Sequence, residues 1–228
     1  MTHTIDTIKL VFIHTPKTGG TFIENKLKIL AKKYNENKQM SGHYNIKYYS
    51  NIINEYITFG VIRNPYDRLF SAYNMFIRGC WKCFEKTFKL LNNPNSFENF
   101  VINLYNLHKD SKLPWQSHDK KVVNGCCIVS RQFAVHIVPQ FYYFTNDNNE
   151  IGIDKNNILK YESLDTEIEN FLNNNYNDNS IVCDFFKKNI ISNVDIKKTY
   201  NLHEKYPQLM DMIYQIYEVD FVNFDYKK

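Results

Sequence analysis

Ile13-His14-Thr15-Pro16-Lys17-Thr18-Gly19-Gly20-Thr21-Phe22 decides the fold. The apolar run Ile8–Phe12 precedes it. Phe22, Ile23, Leu27, Leu30 and Ala31 follow at helical spacing. A strand, a glycine-containing loop with one lysine and a helix start, in that order, build an anion cradle. The first N–H groups of a helix point outward unpaired and carry partial positive charge. Glycines let the backbone approach a ligand, and a lysine adds a mobile full charge. The loop is not a Walker A motif, because Lys17 precedes Gly19 and Gly20 instead of following the second glycine. It suits a phosphate-like group, but it is not read as an ATP or GTP site. Taken alone, it is also compatible with an ordinary βα turn bearing a surface lysine.

A second segment narrows the reading. Ile57–Ile62 is a short β-branched apolar run, predicted to be a buried strand. Arg63-Asn64-Pro65-Tyr66-Asp67-Arg68-Leu69-Phe70-Ser71-Ala72-Tyr73 follows. Asn64 suits a helix N-cap, Pro65 the first helical position and Asp67 the first turn. Arg63 then stands at the carboxyl end of a strand, where open α/β sheets bind ligands. An arginine with a nearby hydroxyl, here Ser71, would hold a second phosphate by charge-assisted hydrogen bonds.

Together the two segments resemble the sulfotransferases. Pro16–Thr21 is similar to their 5′-phosphosulfate loop, and Arg63–Tyr73 to their 3′-phosphate motif. The branch most resembled is the carbohydrate sulfotransferases of the chondroitin, dermatan and heparan uronosyl 2-O type. Three later stretches resemble the same branch: His136-Ile137-Val138-Pro139-Gln140, Leu159–Leu164, and the ending Tyr217–Tyr226. The resemblance implies an α/β, P-loop-like three-layer fold with a central parallel sheet flanked by helices. It implies 3′-phosphoadenosine 5′-phosphosulfate (PAPS) as donor, leaving the bisphosphate PAP as product. Lys17, Thr18, Gly19, Gly20, Thr21 and Phe22 would wrap the 5′-phosphosulfate, while Arg63 and Ser71 would hold the 3′-phosphate. Arg68 either joins them or braces the helix.

Sulfuryl transfer to a hydroxyl needs a positive charge at the leaving oxygen and a base for the acceptor's proton. Lys17 suits the first task, and a histidine suits the second. Ser41-Gly42-His43-Tyr44 resembles the G-H element that carries the catalytic histidine of that branch, so His43 is the expected base. Glu24 is the alternative, with a simpler reading as an acid near a helix N-terminus. His14 is assigned to the strand end. His136 either lines an acceptor cleft or supports the fold. No metal is expected, since a sulfuryl group carries less charge than a phosphoryl group and no acidic pair is placed like a magnesium site.

The 228 residues suffice for one α/β domain, and the whole chain, 1–228, is expected to be a single catalytic domain. The net charge of +4 suits an anionic donor. Its lysines are scattered among Asn and Asp, so nucleic acid is not expected as a partner. Neither a 20-residue apolar run nor a signal-peptide pattern precedes the first strand. The chain is therefore expected to lack a membrane anchor and to be soluble and cytoplasmic. Five cysteines leave at least one thiol free within a single chain, and the lone pair Cys80/Cys83 does not make a zinc site. The remaining helices are expected near 97–107, 164–172 and 203–217, with a strand at 158–161. Specificity for the acceptor, expected to be a glycan, should reside in residues 79–140. Arg78, Lys82, Lys112, Trp115, Lys120, Lys121 and Arg131 are candidates to meet an acidic sugar. Two other functions remain open: a kinase-like nucleotide enzyme and a non-catalytic PAP-binding module.

Overall fold

The computed structural model describes residues 3–36, 40, 42–78, 81–116, 135–186 and 201–228. Cys80, Cys126, Cys127, Lys120, Lys121 and Arg131 lie outside these residues, as do the side chains of Lys82 and Cys83. The chain forms two compact units. The first comprises residues 1–63 and 143–197, and the second residues 64–142 and 198–228.

The first unit is built on a four-stranded sheet in the order β1 (Thr4–Ile5), β2 (Leu10–Ile13), β3 (Ile57–Ile62), β4 (Ile158–Lys160). Strands β2, β3 and β4 are parallel, with Phe12 opposite Phe59 and Val61 opposite Leu159. This agrees with the α/β expectation. The sheet is mixed, however, because β1 runs antiparallel to β2. Only four residues separate the two strands, which is enough for a hairpin and far too few for a parallel crossover. Two-residue β1 is too short to give a period in the sequence.

Helix α1 (Gly20–Lys33) places Phe22, Ile23, Leu27, Leu30 and Ala31 in the core and ends in Lys32 and Lys33, favourable at a helix C-terminus. These side chains join Leu10, Phe12, Phe59, Val61 and Leu159 from one face of the sheet. Leu164, Ile168, Phe171 and Leu172 of α6 (Leu164–Asn175) and Ile181 and Phe185 of α7 (Asn179–Phe186) complete that core. On the other face Phe144 lies over Gly60, where an added Cβ would come within 2.2 Å of its ring. Both faces are thus covered, which explains the unbroken apolar run of β2.

The second unit is helical. It contains α2 (Pro65–Arg78), α3 (Trp81–Leu90), α4 (Phe97–Lys109), α8 (Leu202–Lys205) and α9 (Pro207–Asn223), and short α5 (Phe141–Phe144) bridges the change of unit. Asn64 caps α2 as expected, its side-chain oxygen accepting the Tyr66 N–H at 2.9 Å. Ser96 caps α4 by accepting the Asn99 N–H at 3.1 Å. The single helix expected over 203–217 is two. Pro207 cannot supply the N–H that would carry α8 onward, so it opens α9 instead. Tyr73, Phe76, Phe88, Phe97 and Phe100 pack as tilted and edge-on rings, which accounts for much of the aromatic content.

A buried polar knot fastens this unit. Asp220 is wholly buried and accepts the backbone N–H of Gln140 at 2.9 Å and of Phe141 at 2.8 Å. The Tyr217 hydroxyl donates to the Ile137 carbonyl at 2.7 Å. Buried Arg68 supplies the compensating charge. Burial pushes the Asp220 carboxyl up to about 6, against the pull of Arg68 and the N–H donors. Gln140 and Asp220 come from two stretches in which the family resemblance was read, and here both serve the fold. Arg68 braces it. Trp115, a candidate sugar contact, is buried, and Lys112 pairs with Asp110 at 2.8 Å.

Asp220→Ala would leave the Arg68 charge and two backbone donors uncompensated. It is expected to cost about 3–5 kcal/mol of stability, read by urea denaturation. A loss below 1 kcal/mol would contradict this account of the knot.

Candidate active site

The candidate site lies in the first unit, where β2 runs into α1. Lys17 takes a left-handed conformation (φ 70°), and so does Gly19 (φ 84°), the N-cap of α1. The Thr18 hydroxyl donates to the Thr15 carbonyl at 2.8 Å and closes the turn. Gly19 offers no side-chain cap, and the first turn of α1 holds no acidic residue. The helix therefore presents its N-terminal dipole with no carboxylate of its own against it. This fits an anion such as the phosphosulfate end of PAPS. Thr21 is exposed, whereas Phe22 is buried in the core and donates its N–H to the Gly19 carbonyl at 2.9 Å, so Phe22 shapes the turn and does not itself face a ligand.

Two glycines admit two rings. A Cβ on Gly19 would lie 3.0 Å from the Tyr161 ring, and one on Gly20 would lie 1.8 Å from His14 Nε2. The Arg63 guanidinium stacks over the other partner of that first contact, 4.5 Å from the centroid of Tyr161, and its Nη1 reaches the Lys17 carbonyl at 3.5 Å. Arg63 thus stands beside the cradle at the end of β3, largely buried. Ser71 is half-buried on α2, in the second unit.

Two histidines meet Glu24, and a third packs against one of them. Oε1 of Glu24 lies 2.7 Å from His3 Nε2 and 2.8 Å from His14 Nδ1. His3 Nδ1 lies 3.4 Å from the Tyr49 hydroxyl. His43 packs edge-on against His14, with ring centroids 4.3 Å apart, and its Nδ1 is 3.3 Å from the His14 carbonyl oxygen. Gly42 precedes it with φ 100°, a turn that a residue with a side chain rarely takes.

Burial would raise the Glu24 carboxyl, but hydrogen bonds from His14 and His3, with their charge, outweigh it and hold the group at about 2. Burial pushes the His14 imidazole down, against the hydrogen bond and charge of Glu24. An ionised Glu24 carboxylate facing a neutral His14 N–H donor satisfies both directions. Glu24 sits one turn inside α1, not in its first turn, and interacts with histidines instead of the helix dipole. Sequence reasoning missed His3 and underrated His14. The β1–β2 hairpin brings His3 into place, and no local spacing announces that.

The chain belongs to the sulfotransferase family, whose model matches residues 2–227. No curated protein and no solved structure matches it. Members of this family are transferases that move a sulfuryl group, and they typically take it from PAPS. Among the described residues, no helix is long and apolar enough to cross a membrane.

Gly20→Ala should displace His14 from Glu24. The expected cost is about 1–3 kcal/mol, measured by thermal denaturation; a neutral substitution would contradict the packing. The pH dependence has a definite sign. The folded-state pKa of Glu24, about 2, lies below its ordinary 4.5. Its stabilisation is therefore present above pH 4.5 and is lost as pH falls from there toward 2. The stability difference between wild type and Glu24→Gln should shrink from about 2 kcal/mol at neutral pH toward zero over that window, water at the carboxylate's edge limiting its size. A difference that stays constant with pH would contradict it.

Proposed function

We propose that this sulfotransferase uses PAPS as donor and a carbohydrate hydroxyl as acceptor, by in-line displacement with His43 as general base. One observation carries the reading. The uncapped start of α1, flanked by Lys17 and Arg63, shares a unit with a histidine whose Nδ1 faces a carbonyl. A carbonyl only accepts, so Nδ1 carries the hydrogen, and in the neutral ring the lone pair is on Nε2. That is the protonation state a general base needs near neutral pH.

PAPS supplies an activated sulfuryl group. The backbone N–H groups of 18–21 would hold its 5′ end at the head of α1, where dipole and N–H direction favour an anion; the Phe22 N–H is donated to the Gly19 carbonyl at 2.9 Å. The Lys17 ammonium would stabilise the charge that develops on the leaving oxygen. His43 Nε2 would take the proton of the acceptor hydroxyl as the new S–O bond forms. Arg63 is oriented by Tyr161 and the Lys17 carbonyl, which supports a part in binding the 3′-phosphate. The part of Ser71 rests on its sequence motif alone. Glu24 is a poor base near neutral pH, because the two imidazole partners hold its carboxyl at about 2.

The glycan acceptor rests mainly on Ser41–Tyr44, since Gln140 of the other branch element serves the fold. The family match over nearly the whole chain supports reading it as one catalytic domain. No divalent ion has a part in this reading.

Calorimetric titration with PAP tests the donor assignment. PAP is expected to bind at least tenfold more tightly than ATP, and Lys17→Ala and Arg63→Ala should each weaken it about tenfold or more. Equal preference for ATP with magnesium would replace this reading with a nucleotide enzyme. Tight PAP binding without transfer to any acceptor would leave a binding module.

A further inference from the structure

We infer that Glu24 is a positioning residue: it fixes the ring of His14 and, through His14, the orientation of His43. The inference rests on the reading of His43 as base.

The proton inventory allows little freedom. An ionised carboxylate only accepts, so His3 Nε2 and His14 Nδ1, both within 2.8 Å of Oε1, each present an N–H. Burial keeps His14 neutral, and a neutral imidazole carries one hydrogen, so His14 Nε2 bears a lone pair. His3 Nδ1 faces the Tyr49 hydroxyl at 3.4 Å.

The geometry passes the constraint outward. The His14 ring is held between Glu24 and the bare Cα of Gly20, and its backbone follows directly on β2. His43 meets His14 twice, edge-on with ring centroids 4.3 Å apart and through Nδ1 at the His14 carbonyl. One carbonyl and one ring face thus set the rotation of the His43 imidazole. Glu24 acts only through His14, which separates it from a catalytic residue. The same three atoms also have the spacing of metal ligands, His3 Nε2, His14 Nδ1 and Glu24 Oε1 lying within 4.8 Å of one another. A metal ion would need lone pairs on the two nitrogens that the carboxylate requires to be protonated. The proton positions therefore decide between the two.

The experiment is nitrogen-15 NMR of the histidines in the full chain after chelation, for wild type, Glu24→Gln and Glu24→Ala, with PAP binding and transfer kinetics alongside. Wild type is expected to carry hydrogen on His14 Nδ1, His3 Nε2 and His43 Nδ1. Both variants should shift the His14 tautomer and the His43 ring resonances. They should lower kcat at least tenfold, with PAP affinity and acceptor KM within about threefold. Glu24→Gln keeps the shape of the side chain, so it reads the effect if Glu24→Ala does not fold. Hydrogen on His14 Nε2 in wild type, or His43 resonances unmoved in both variants, would overturn the inference. So would one equivalent of Zn²⁺ binding at micromolar concentration with loss of both N–H signals. Expected tautomers in a chain that neither binds PAP nor transfers sulfate would uphold the positioning role and refute His43 as base.

Discussion

Two adjacent positions without side chains, Gly19 and Gly20, form the constraint on which the site depends. Tyr161 closes on the first and His14 on the second. Each ring then holds something else: Tyr161 carries the Arg63 guanidinium, and His14 reaches Glu24 and His43. A side chain at either glycine would separate the helix start from the groups packed around it. The same absence leaves the helix without a cap of its own, which makes its first N–H groups available to an anion. Packing and electrostatics thus come from one sequence feature.

The second unit solves a different problem. Its helices bury an arginine and an aspartate, and that pair is stable only because backbone N–H groups and a second charge meet the carboxylate. Asp220 and Gln140 lie 80 residues apart in sequence. Their joint presence in two motifs that resemble a carbohydrate-specific branch has a structural cause here. A motif shared for the sake of the fold says little about the acceptor, so the weight of that reading shifts to His43 and its turn.

Much of the fold was legible because its signals are local. The apolar runs before Lys17 and Arg63, the Asn64-Pro65 helix start and the three- and four-residue steps of α1, α4 and α6 each report their own backbone. The strand, loop and helix order around Lys17 was legible for the same reason. What escaped was assembled across the chain. β1 is two residues long and only its hairpin makes it a strand, yet it delivers His3 to Glu24. His14 looked like the last residue of a strand, and its partner ten residues later lies on a helix, where no shared period links them. Pro207 lies inside the span expected as one helix, and its missing N–H separates two.

The central claim is that the cradle and His43 act together in sulfuryl transfer to a sugar hydroxyl. The most direct test incubates wild type and His43→Ala with sulfur-35-labelled PAPS over a panel of acidic and neutral glycans. The account predicts labelled glycan with wild type, and a loss of at least a hundredfold in His43→Ala with PAP binding retained. Label transferred equally well by His43→Ala, or delivered only to non-carbohydrate hydroxyls, would contradict it.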